Sequence, residues 1–196
     1  TQKFYRINGG STQLEGVRSD IVAPDRYAYL KMGERDIDNA MPWDKIDPAE
    51  YSTWNNNTNF NQAIANSKAR IAQNPQFKLI EDNAKWIDTK SKENSYSLNI
   101  ADFKKAQTEV EAEAKKYKPI TDYKNNLEFT SLPYEIAEMA KDPTLKEKRE
   151  SWHQALSKDI YVEEAINVLD DLQSHSVARQ NSVPARSKKD KLASKL

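Results

Sequence analysis

The stretch Asn74-Pro75-Gln76-Phe77-Lys78-Leu79-Ile80-Glu81-Asp82-Asn83-Ala84-Lys85-Trp86-Ile87 decides the fold class. Phe77, Ile80, Ala84 and Ile87 recur at spacings of three, four and three, which places them on one face of a helix and does not fit the two-residue period of a strand. Pro75 falls where helices accept proline, at the first position. Asn74 before it can accept a bond from an N–H of the first turn. A residue that precedes proline is also biased away from helical backbone, so Asn74 ends the helix before it. That earlier helix carries Phe60, Ile64 and Ile71 on one face. The reading is two helices joined at Asn74 as a helical hairpin.

The same period continues toward the C-terminus. Asn99, three residues before Asp102, caps a helix with Phe103, Ala106, Val110, Ala114 and Tyr117 on one face, which Pro119 stops. The stretch Leu127 to Met139 has no decisive period. Asp142-Pro143 opens another helix through Leu145, Trp152 and Leu156, and Asp159 begins the last one. Its apolar stripe is Val162, Ala165, Ile166, Leu169 and Leu172, expected to face the core, while Asp159, Glu163 and Glu164 complement the positive end of the helix dipole. The tail from Pro184 holds five basic residues against one acid, without period, and reads as a flexible basic segment over 181–196.

Upstream the character changes, for all four glycines lie within the first 33 residues. Lys3 to Ile7 alternates and is rich in β-formers, Asn8-Gly9-Gly10-Ser11 is a turn signal, and Thr12 to Glu15 and Val17 to Val22 follow as short runs. Two or three strands are too few for a stable sheet, so residues 1–24 read as the terminal strands of a larger one. Residues 25–58 are irregular and carry Trp43, Tyr51 and Trp54. They read as a connecting arm that is ordered because its aromatics dock on neighbouring structure. Residues 59–180 form the helical domain. The fold class is mainly α: a multi-helix domain preceded by a short β-hairpin segment.

Leu, Ile, Val and Phe make up only 37 of 196 residues, and the mean hydropathy is −0.92. Thirty basic and thirty acidic side chains cancel, which separates the chain from disordered sequences of high net charge and from general nucleic-acid binders with a basic excess. No apolar run reaches the roughly 18 residues of a membrane span. Without cysteine there is no disulfide, thiolate metal site or cysteine nucleophile.

No residue is assigned a catalytic, cofactor-binding or metal-binding role. His153 and His175 fall on different helices, with no His-Glu-x-x-His motif to hold a metal. The acidic pairs Asp36/Asp38, Asp44/Asp47 and Asp170/Asp171 read as charged surface, since acid catalysis requires one carboxyl held in an apolar pocket. No phosphate loop, nucleophile elbow or Ser-x-x-Lys motif occurs. Asn56-Asn57-Thr58 matches a glycosylation sequon by length alone, and the basic run around Arg186 and Lys188 reads as solubilising.

Resemblance carries the sequence further. Gln2 to Leu14, followed by Gly16-Val17 and Asp20-Ile21-Val22, strongly resembles the close of the protease core in the tail-specific, or C-terminal processing, protease family (Prc, also called Tsp). Asp38-Asn39-Ala40-Met41-Pro42-Trp43-Asp44, Ala69-Arg70-Ile71-Ala72, Asn74-Pro75 with Phe77, and Ser97-Leu98-Asn99 resemble the helical domain that follows that core. The resemblance covers most of residues 2 to 99 and returns near Tyr161 to Leu172. Arg18-Ser19 stands where the family usually has Thr-Pro, which affects a turn and no chemical group.

The resemblance implies a bacterial envelope serine peptidase with a Ser/Lys dyad and a PDZ domain, both upstream of the residues matched here. This chain then looks like an excised C-terminal piece, periplasmic and non-catalytic, that docks on the core and shapes substrate access. The partners implied are the parent's own protease core and PDZ domain, unfolded protein tails or cell-envelope proteins as substrates, and an adaptor protein; no nucleic acid and no cofactor are implied. The alternative is an independent helical protein-binding module. The expected outcome for the isolated chain is no cleavage of an unfolded protein above buffer. Turnover abolished by a single Ser→Ala change within it would contradict this reading.

Overall fold

A computed structural model describes residues 2–52 and 59–182, and side chains as far as residue 174. Seven α-helices follow one another there: α1 Phe60–Gln73, α2 Pro75–Ser91, α3 Ile100–Ala114, α4 Lys118–Thr121, α5 Pro133–Met139, α6 Pro143–Leu156 and α7 Ile160–Ser182. Mainly α is the observed class.

Most helices start where short polar side chains cap them. Asn59 accepts from the Gln62 N–H at 3.1 Å, Asn74 from Gln76 at 2.8 Å and Asn99 from Ala101 at 2.9 Å. Asp142 accepts from Thr144 and Leu145, and Asp159 from Tyr161 and Val162. Each such bond satisfies a donor that the first turn leaves free.

Four expectations change. Pro119 does not stop α3: that helix ends at Ala114, a 3-10 turn over Lys115–Tyr117 follows, and Pro119 lies in the first turn of α4, where its missing N–H costs nothing. Helix α5 fills part of the stretch that showed no period; Pro133 opens it and the Glu135 carboxylate accepts the Leu132 N–H at 3.0 Å. Helix α1 packs most extensively on α7, far away in sequence, and not on its hairpin neighbour α2. Finally, the apolar stripe of α7 is only partly turned inward: Val162, Ile166 and Leu172 are half-buried, whereas Ala165 and Leu169 are exposed, and the residues buried on this helix are Ile160 and Glu164.

The apolar core is small. Phe77, Ile80 and Ile160 form its centre, with Ala23, Ile71, Ile120 and Tyr123 packed against it. The Phe77 and Tyr161 rings meet edge to face at 5.7 Å. Tyr161 also donates its hydroxyl to the Pro24 carbonyl at 2.7 Å, so α7 fixes the start of the arm.

The N-terminal hairpin is reduced to a turn. Tyr5 and Ser11 make an isolated antiparallel bridge, closed by Arg6 N–H to Gly10 O at 2.8 Å and Thr12 N–H to Phe4 O at 2.9 Å, and no sheet forms among the described residues. Its outer edge is covered by the arm: Ser11 donates to Asp44 O, Ile46 to Gly9 O and Ala49 to Ile7 O. Gly9 makes this approach feasible. It has φ of +83°, and a Cβ there would lie 2.1 Å from the Ile46 carbonyl oxygen.

Trp43 is nearly half exposed and lies over Gly10, so its neighbour is the N-terminal turn. Trp54, the Asn56-Asn57-Thr58 sequon and the tail from Pro184 lie outside the described residues.

Tyr123, beside the core, donates its hydroxyl to the Glu163 carboxylate. Burial first, and then the adjacent carboxylate, push its pKa up to about 12 from 10.0. A phenol kept protonated by the fold stabilises it below the unfolded value and ceases to do so as pH rises through the folded one. The contribution of Tyr123 is therefore complete below about pH 10 and fades toward pH 12. Phenolate absorbance followed alongside helicity is expected to show a tyrosine that ionises near pH 12 as stability is lost, and Tyr123→Phe is expected to remove that phase. An unchanged alkaline profile in that variant would contradict the assignment.

Candidate functional site

The most concentrated polar constellation lies between α1 and α7. Asn66, Ser67 and Arg70 sit at helical spacing on α1 and meet Glu164, Asn167 and Asp171 at matching spacing on α7. The Arg70 guanidinium forks onto both carboxylates, with Nη2 at 2.8 Å from Glu164 Oε1 and Nη1 at 2.8 Å from Asp171 Oδ2, while Nε bonds both oxygens of Glu164. Ser67, fully buried, donates to Glu164 Oε1 at 2.6 Å, and Asn66 donates to Asp171 Oδ1 at 3.1 Å. The two carboxylates hold the Arg70 pKa above its ordinary value, Glu164 contributing most. A guanidinium shared by two anions, with every carboxylate oxygen bonded, has no free base and no nucleophile. Its chemistry is that of a clasp.

A second constellation ties the N-terminal turn to the arm. Lys3 Nζ lies 3.0 Å from Asp44 and 2.9 Å from the Pro42 carbonyl, and the Tyr5 hydroxyl donates to Asp44 at 3.1 Å. The bond from Lys3 holds the Asp44 carboxyl below the usual carboxylate range. Glu34 in turn accepts from the Gln13 side chain and the Leu14 N–H.

Two grooves of about 430 Å³ each open on the helical part. One lies between α5 and α6, with Phe129, Ile136, Met139 and Ala140 as its apolar lining and Arg149 and His153 on its other side. Arg149 is held there by Glu135 at 2.5 Å and stands over the Trp152 ring at 5.2 Å. The other is walled by Trp86 and Tyr117, whose rings tilt together at 5.5 Å, above Asn83. Asn83 is 1% exposed, and its Oδ1 has no partner among the described residues.

The residues weighed in the sequence are dispersed. His153 lines the α5–α6 groove, and the His175 side chain lies outside those described. Asp36 accepts the Gly33 N–H in a tight turn, Asp44 belongs to the N-terminal tie, and Asp171 belongs to the clasp whereas Asp170 is exposed. Among the described residues no group of three or more His, Cys, Asp or Glu could hold a metal, and no helix is long and apolar enough to cross a membrane. Sequence reading missed the clasp because it gave Glu164 to the helix dipole and Asp171 to the charged surface; the signal was the matched 66/67/70 and 164/167/171 spacing.

Many large apolar side chains are exposed. Helix α3 buries no residue, Phe103 on its expected inner face is 42% exposed, and Ile100 and Leu98 just before it are open to solvent. Leu169 on α7, Trp152 on α6, Tyr134 and Ile136 on α5, and Val22, Tyr27 and Met32 near the start of the arm are also exposed. Isolated exposed apolar side chains are ordinary, but an abundance of large ones around so small a core is the pattern of a surface that meets another structure.

Comparison with known proteins bears on what that structure is. Residues 27–174 match the family described as the C-terminal domain of tail specific protease. The chain is 42% identical over 102 residues to the tail-specific protease of Haemophilus influenzae, a stretch covering 50% of this chain and 15% of that protein. The chain thus spans only a small part of the length of the relative it matches.

Proposed function

We propose a role for this chain from the family it belongs to, the C-terminal domains of tail-specific proteases: it is the non-catalytic helical domain of a longer serine protease. It docks on the protease core and shapes which substrates enter. The observation that carries this reading is the set of large apolar side chains left exposed at and before α3 and on α5, α6 and α7, around a core too small to cover them. A buried clasp and capped helices give the domain a defined shape to present. Its densest polar cluster is fully paired and offers no nucleophile or base.

In this reading the Ser/Lys chemistry and the PDZ domain belong to the rest of the parent, and the site of action is the bacterial periplasm. The substrates are unfolded tails of envelope proteins. The domain walls the path they take. The Tyr161 to Pro24 bond and the packing of Ala23 on the helical core supply the rigidity such a wall requires, because they join the entry to the arm directly to α7.

The test places charge on the exposed face. Leu98 and Leu169 are exposed in the chain, so Leu98→Asp with Leu169→Asp is expected to change the stability of the isolated chain by no more than about 1 kcal/mol. In the full-length parent the same pair is expected to alter cleavage of a folded protein several-fold while cleavage of a short peptide stays near the unsubstituted rate. Equal loss on both substrates, or none on either, would contradict a role in substrate access.

A further inference from the structure

Residues 126–132 are the one stretch after α1 in which side-chain burial follows a strand period. Asn125 is buried and Leu127, Phe129 and Ser131 are half-buried, whereas Asn126, Glu128, Thr130 and Leu132 are exposed. The sequence Leu127-Glu128-Phe129-Thr130-Ser131-Leu132 is rich in residues that favour extended backbone, bears a single charge, and ends at Pro133. Its start is pinned: the Asn125 N–H donates to Ser157 O at 2.8 Å, and the Asn125 side chain donates to Leu156 O and accepts from the Leu127 N–H. Its end is pinned where the Glu135 carboxylate accepts the Leu132 N–H.

Between these anchors the backbone is unpaired. Among the described residues, no protein group bonds the N–H of Glu128, Phe129, Thr130 or Ser131, nor any carbonyl from Asn126 to Ser131. A segment whose side-chain burial alternates as in a strand, fixed at both ends and with free donors and acceptors between, offers an edge without a neighbouring strand. The apolar groove between α5 and α6 opens beside it, lined in part by Phe129 of the segment itself.

We propose that residues 127–132 and the adjoining α5–α6 groove form a strand-addition site for an extended, unfolded polypeptide. Alternating backbone donors and acceptors are matched by another extended backbone and by little else, and a groove floored by Ile136, Met139 and Ala140 takes one apolar side chain of that strand. A second copy of this chain fits less well. Its own Leu127 and Phe129 are half-buried, and Leu132 at the end of the segment is the one exposed apolar side chain it could insert. Backbone pairing is indifferent to sequence, so the site reads extendedness and one apolar position. The inference deepens the proposed role in substrate access, placing on the domain a surface that holds the substrate chain.

The test uses the 196-residue chain and a fluorescently labelled, reduced and carboxymethylated lactalbumin as the unfolded probe. Binding is expected to slow amide exchange at Glu128 to Ser131. Thr130→Pro, which deletes one donor from an exposed position, is expected to weaken binding at least tenfold, and Thr130→Val, which keeps the donor, less than twofold. Ile136→Asp charges the groove at a half-exposed position that the fold does not depend on, and is expected to weaken binding at least fivefold, which keeps the test informative should the proline variant lose helicity.

No binding, binding that leaves these amides unchanged, a Thr130→Pro variant that retains both helicity and affinity, or self-association through this segment would each overturn the proposal. Leu98 and Leu169 do not line this groove, so the charge test in the parent fails or succeeds independently of this one.

Discussion

Arg70 holds together two helices whose bonded residues are 94 to 105 positions apart in sequence, the longest-range closure among the helices. Desolvating Glu164 is costly unless a cation and further donors meet its oxygens, and Arg70, Ser67 and Asn167 do so. The same guanidinium reaches Asp171 two turns later, so the contact fixes the rotation as well as the register of α7 against α1. An apolar seam of similar area could slide by a turn. This one cannot slide without stranding a carboxylate.

That rotation determines which face of α7 remains available. With Glu164 and Asp171 turned toward α1, Ala165 and Leu169 turn outward, and part of the apolar stripe becomes surface while Val162, Ile166 and Leu172 stay half-buried. The N-terminal residues follow the same logic of closure by specific bonds in place of a broad core. The arm covers the turn through Gly9, Ser11 and Ile7, and Tyr161 ties the start of the arm to α7. A chain with so little aliphatic content is thereby given one shape, and much of its apolar area is left for contact with something else.

Helix starts were the most legible part of the sequence because they depend on one or two adjacent residues: Asn74-Pro75, Asn99 and Asp142-Pro143 all mark their helices correctly. Helix pairing was less so, since nothing local in Phe60 to Gln73 reveals that its partner is α7 and not α2. The inward face of α7 was only partly legible because amphipathicity assumes that apolar residues face in, and here a charged triad takes a share of that face and leaves Ala165 and Leu169 exposed. Helix α5 was missed for a different reason: at seven residues it is too short to show a period. The strand-like segment before it is visible only once burial and free backbone are both known. Membership in the C-terminal domain family was legible from the motifs at residues 38–44, 69–72 and 97–99 and at Asn74-Pro75 with Phe77, all within the matched residues 27–174, and such motifs describe descent and not packing.

A double-mutant cycle on Arg70→Met and Glu164→Gln, read by denaturant unfolding of the chain, tests the clasp most directly. The account predicts that each single change destabilises, Arg70→Met the more because it leaves two carboxylates facing each other, and that the pair together costs less than the sum by about 1 to 3 kcal/mol. Additive losses, or a Glu164→Gln variant as stable as the unsubstituted chain, would show that α1 and α7 are held by packing alone and would contradict it.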